Sequence, residues 1–137
     1  MADVQHRIVF VPRLRDADFL ALIATADVML DTVHFNGMNT SLEAFAVGTP
    51  VVTLPSALQR GRHTQAMYRR MGLDDLIATD ANAYVEQAVR LANDADHRRA
   101  VSARILAANA VLYEDDEVVR EFQRFFEQVA GGSGRSG

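Results

Sequence analysis

The chain has 137 residues, 49% hydrophobic and 23% charged, a balance that suits one globular domain with a core of its own. A formal net charge of -4 argues against a general nucleic-acid binder, and the absence of cysteine excludes disulfide frameworks and thiolate metal sites. No apolar run approaches the roughly 18 residues of a membrane span and no signal-peptide pattern opens the chain, so no membrane association and a cytoplasmic location are expected.

Arg7–Val11 (RIVFV), closed by Pro12, predicts a buried strand. Asp16 is placed to cap a helix in which Phe19, Leu20, Leu22 and Ile23 share a face. Val28–Leu30 reads as a second strand ending in Asp31 and Thr32. A loop through Phe35 and Gly37 then leads to a helix near Ser41–Val47. Gly48 fits as the residue that ends this helix, and Pro50 blocks its continuation. Val51–Leu54 is a third strand and Gln59–Met71 a basic amphipathic helix stopped by Gly72. Leu76–Ala78 is a short fourth strand. Asp80 caps a helix over Ala81–Asn93, Asp94 or Asp96 opens one over Ala95–Leu112, and Asp115 or Asp116 opens the last, ending near Ala130. The tail 131–137 (GGSGRSG) has the composition of a flexible linker.

Strands alternating with helices at short spacing imply an α/β fold built on parallel βαβ units, with the last two helices as a C-terminal helical extension. Ligands of such folds lie beyond the carboxyl ends of the strands. That rule selects Pro12–Phe19, Asp31–Ser41, Pro55–His63 and Thr79–Asp80. Within the second stretch, Asn39, Thr40 and Ser41 stand where a helix begins, so free N–H groups, hydroxyls and a positive helix end converge on an anion. Glu43, inside the first turn, suits a sugar hydroxyl better than a phosphate. Each feature has a plainer use. Asn, Thr and Ser are ordinary helix caps, Glu43 complements a helix dipole, and Gly37 permits a tight loop.

Three blocks, RIVFVPRLRDADFLALIATADVMLDT, NGMNTSLEAFAVGTPVVTLP and GRHTQAMYRRMGLDDLIATDANAYVEQAVRLA, resemble in order and spacing the C-terminal catalytic half of the O-GlcNAc transferase/SPINDLY-type glycosyltransferases. The resemblance runs from about Arg7 to Ile105. It implies a GT-B enzyme of two Rossmann-like domains that transfers a sugar, GlcNAc from UDP-GlcNAc, to protein Ser/Thr without a metal. Residues 1–130 would then form part of the nucleotide-sugar-binding C-terminal domain. By the resemblance, the Leu14 backbone and Phe19 hold the base. Asn39, Thr40 and Ser41 take the diphosphate beside Gly37, Glu43 the ribose, and Arg62 the diphosphate or the donor loop. The sequence departs from the family pattern at Phe19, Asp16 and Met38, which stand where the family has histidine, lysine and histidine. The family's catalytic lysine lies upstream, so no catalytic residue is assigned within this chain. The partners implied are the donor, a protein acceptor, the N-terminal GT-B domain and tetratricopeptide repeats.

Arg60, Arg62 and His63 read either as a solvated face or, for Arg62, as a diphosphate contact. The four histidines, His6, His34, His63 and His97, have no metal-ligand spacing, and only His34 lies near the expected cleft. Asp31 can brace loop backbone or face the sugar, with bracing the expected role. By the resemblance the first two βα units of the donor half do not appear here, so either the chain is a fragment of a longer protein or, if it folds alone, Arg7–Val11 is expected to move beside Val28–Leu30 and complete a sheet of about four mostly parallel strands. A different class of function is a truncated, non-catalytic Rossmann-like module acting in protein association.

Overall fold

The computed structural model describes residues 2–132, with side-chain surroundings for 4–131. Two short strands, β1 (Met29–Leu30) and β2 (Val51–Val52), pair in parallel, Met29 opposite Val51 and Leu30 opposite Val52. A single parallel bridge, Thr53 with Ile77, extends the pairing by one residue, and the Ala78 N–H donates to the Thr53 carbonyl at 2.8 Å. Around this strip stand, among the described residues, six α-helices: α1 (Asp16–Thr25), α2 (Asn39–Ala46), α3 (His63–Met71), α4 (Ala81–Asn93), α5 (Ala95–Ala108) and α6 (Asp116–Gly132). The chain is therefore mostly helical, with a two-stranded parallel sheet.

Helix ends follow local chemistry. After α2, Gly48 takes a left-handed φ of 80°; its N–H reaches the Phe45 carbonyl and the Thr49 N–H reaches that of Ala44, satisfying carbonyls the helix leaves open. Gly72 ends α3 in the same way at φ 71°. Asp80 and Asp94 cap α4 and α5 as expected, accepting the N–H groups of Ala83 and His97 at 2.9 Å each. Hydrogen bonds from those N–H groups hold both carboxyls below their usual range. Asp16 is not a cap; Arg15 occupies that position, and Asp16 sits in the first turn with Asp18. The basic segment splits into a 3₁₀ turn, Gln59–Gly61, and α3, with Arg62 between them.

The core joins Phe45 of α2, Val51 and Val52 of β2, Tyr68 of α3, Leu91 of α4, and Val101 and Ile105 of α5. The Phe45 and Tyr68 rings meet edge-on at 4.8 Å, and the Tyr68 hydroxyl accepts the Val51 N–H at 2.9 Å. Burial pushes that phenol above its ordinary range.

Two expectations are corrected. The four-stranded sheet is not formed. Residues 2–7 make a 3₁₀ turn, residues 8–15 carry no regular structure, and Ile8, Val9, Phe10 and Val11 are exposed, Phe10 at 92%. A partner as short as β1 returns few ladder bonds against an ordering cost of about 1–2 kcal/mol per residue. Leu76 belongs to a 3₁₀ turn, Asp74–Leu76, so the fourth strand shrinks to the Ile77 bridge. The C-terminal extension also divides: α5 is built into the core, whereas α6 leaves Val119, Phe122, Phe125 and Phe126 exposed. Gly131 and Gly132 continue α6; the remainder of the expected tail lies outside the described residues. Among the described residues no helix is long and apolar enough to cross a membrane.

Candidate functional site

The loop leaving β1 and the loop leaving β2 come together at the carboxyl ends of the strands. The Asn36 N–H donates to the Arg60 carbonyl at 2.7 Å, and Arg60 Nε donates to the His34 carbonyl at 3.3 Å. The Ser41 hydroxyl of α2 and the Thr64 hydroxyl of α3 lie 2.9 Å apart, and both also point at the Gly37 carbonyl, at 3.0 and 3.3 Å. Two helices thus begin against one peptide group, and their positive ends share a corner of the molecule.

Asp31 sits beneath that corner, 3% exposed. Its carboxylate accepts the Gly37 N–H and the Thr53 hydroxyl, each at 2.8 Å, and its carbonyl accepts the Tyr84 hydroxyl at 2.9 Å. The bracing role is therefore present. Asn36 is also buried; its Nδ2 donates to the Thr32 carbonyl at 2.8 Å, and its Oδ1 has no partner among the described residues. Sequence reasoning missed Thr64, Tyr84 and Thr53 as members of this network. Thr53, a polar residue in a buried strand, carried a faint signal; Thr64 and Tyr84 meet their partners only through the fold.

The predicted residues divide by availability. Asn39, Thr40 and Ser41 form the first turn of α2, and among the described residues their N–H groups have no acceptor and the turn has no side-chain cap. Plain capping by these side chains is thus not what the turn uses them for. Thr40 is half-buried, and its hydroxyl rests over Gly37, 2.3 Å from where a Cβ would stand. Glu43 is half-buried and Asn39 exposed; neither side chain makes a hydrogen bond or ion pair among the described residues. Ser41 is fully buried and its hydroxyl is already used, so it braces the corner from within and presents no group on its surface. Arg62 is exposed at the entrance to α3, with its guanidinium unpaired among the described residues.

Elsewhere the arrangement is looser. Phe19 packs partly against the core, and Leu14 lines a shallow concavity with Arg13, Arg15 and Asp16 that includes nothing from residues 31–41. Another concavity, bounded by Leu42, His63, Met67, Arg70, Leu112 and Val118, lies beside the corner and contains none of the predicted binding residues. His34 is exposed and contributes only its carbonyl.

Residues 2–117 match the family described as Glycosyl transferase family 41. Over 106 residues the chain is 34% identical to a UDP-N-acetylglucosamine–peptide N-acetylglucosaminyltransferase of Caenorhabditis elegans, a match covering 76% of this chain and 9% of that protein. Over 118 residues it is 25% identical to a probable enzyme of the same description, SPINDLY, of Solanum lycopersicum, covering 85% and 13%. Its fold superposes on a mutant of the Thermobaculum terrenum O-GlcNAc transferase with a TM-score of 0.82 at 27% identity, covering 94% of this chain and 26% of that one. The chain thus spans a small part of the proteins it matches.

Proposed function

The chain belongs to glycosyl transferase family 41, and from that premise we propose that it is the donor-binding portion of a GT-B glycosyltransferase that moves GlcNAc from UDP-GlcNAc to protein Ser/Thr. The observation that carries this reading is the first turn of α2: the Asn39 and Thr40 N–H groups, without acceptors among the described residues, the Thr40 hydroxyl and the uncommitted Glu43 carboxylate, all at the carboxyl ends of parallel strands. The N–H groups of Asn39 and Thr40 take the diphosphate, with the buried Ser41 fixing the turn beneath them and Arg62 as the counter-charge. Glu43 takes the ribose, and Phe19 with the Leu14 backbone takes the base. No metal is needed in this scheme, because oriented N–H groups and a guanidinium meet the phosphate charge. The acceptor site and the general acid would come from the remainder of a protein of the relatives' length, whose upstream βα units would cover β1 and residues 8–11.

Calorimetric titration with UDP, UDP-GlcNAc and GDP-fucose tests the reading. Binding of the uridine ligands is expected, and Thr40→Ala and Glu43→Ala should each weaken it by about 1–3 kcal/mol. A sample folded by circular dichroism that gives no heat with any nucleotide refutes it. The exposed apolar residues at 8–11 and along α6 favour a second reading, a non-catalytic association module. That reading predicts concentration-dependent assembly without nucleotide binding.

A further inference from the structure

Resting on the donor-binding reading, we infer that Asp31 is a positioning residue: its buried carboxylate fixes Gly37 and, through Gly37, the place of the Thr40 hydroxyl and the first turn of α2. Asp31 is held on three sides before it holds anything else. Its N–H donates to the Val52 carbonyl at 3.0 Å, its carbonyl accepts the Tyr84 hydroxyl, and Oδ2 accepts the Thr53 hydroxyl. Oδ1 then extends from this fixed frame to the Gly37 N–H at 2.8 Å.

Gly37 passes the constraint on. Its other peptide group, through the carbonyl, receives the Ser41 and Thr64 hydroxyls, so both sides of the residue are pinned. The Thr40 hydroxyl occupies the space a Cβ on residue 37 would need. Residue 37 therefore can carry no side chain without displacing Thr40, and only three peptide links separate the pinned Gly37 from it. A carboxylate suits the position because two donors arrive on two oxygens, and an ionised acid is acceptor-only. Asparagine can still accept from Gly37 if the Thr53 hydroxyl turns to accept in exchange.

The experiment compares Asp31→Ala, Asp31→Asn, Thr53→Val and Gly37→Ala by UDP-GlcNAc titration, below the melting point of every variant, alongside amide hydrogen exchange of residues 37–41 without ligand. Asp31→Ala and Gly37→Ala should each lose about tenfold or more in affinity, Asp31→Asn should stay within about threefold of the parent, and Thr53→Val, which removes one support of Asp31 but keeps its bond to Gly37, should lose clearly less than Asp31→Ala. Asp31→Ala should also speed exchange at Gly37, and Thr53→Val should not. If Asp31→Ala does not fold, Asp31→Ser, too short to reach Gly37, replaces it. Equal losses for Asp31→Ala and Thr53→Val, or unchanged affinity and exchange in Asp31→Ala, overturn the inference. A folded parent that binds no nucleotide overturns the donor reading, and the exchange data then decide separately whether Asp31 fixes the turn.

Discussion

Two stretches flank α1 and reverse the usual rule of burial. Before it, Ile8–Val11 is apolar and exposed; after it, residues 31–41 include Asp31, Asn36 and Ser41, polar and buried. The difference lies in where the partners are. Asp31 and Ser41 of the second stretch find partners on Thr53 after β2, on Thr64 of α3 and on Tyr84 of α4, whereas a strand-like apolar segment needs a neighbouring strand that β1 alone does not supply. Burial here follows the supply of partners more than hydrophobicity: the polar corner finds most of its partners within this chain, and the N-terminal edge does not.

That contrast can be broken at its strongest point first. Phe45, on the buried face of α2, lies against Tyr68 of α3, and Phe45→Ala should cost about 3–5 kcal/mol in urea denaturation. A loss below about 1 kcal/mol would mean that the corner does not rest on this packing. A smaller effect comes from acid. The Asp80 and Asp94 carboxyls titrate below their usual value of about 3.9 because backbone N–H groups bond to their charged forms. Their contribution is present above that value and lost as pH falls through the lowered ones. A chain carrying Asp80→Ala and Asp94→Ala should therefore be less stable at neutral pH and decline less steeply below pH about 4. Parallel acid curves for parent and variant would remove these caps from the account. The smallest change is expected at the exposed edge. Phe10→Ser should alter stability by no more than about 0.5 kcal/mol while reducing concentration-dependent association in sedimentation. A loss of about 2 kcal/mol or more would show that Phe10 packs within the chain and would erase the contrast.

Much of the fold was legible because it is set locally. Gly48 and Gly72 end helices by adopting a backbone conformation other residues resist, and Asp80 and Asp94 start them with one side-chain bond. Such signals act within about four residues, so periodicity and caps located α1 to α6 closely. Strands were read less well. RIVFV has strand composition, but a strand is a relation between segments, and composition does not say whether a neighbour exists. In the corner, Asn39, Thr40 and Glu43 could be named from helix-start chemistry and family resemblance. Ser41 looked the same on paper, and only Thr64, 23 residues away, explains why its hydroxyl is unavailable.

The sequence by itself determined the helices, their ends and the family, because these reside in short-range patterns and in three collinear blocks. Tertiary structure alone decided which strands pair, which of three adjacent polar residues keeps a free side chain, and that Asp31 reaches Gly37, Thr53 and Tyr84 at once. Hydrogen bonds and strand pairing act over about 3–5 Å in space whatever the separation along the chain, so only the folded path could select among partners that the sequence left equally eligible.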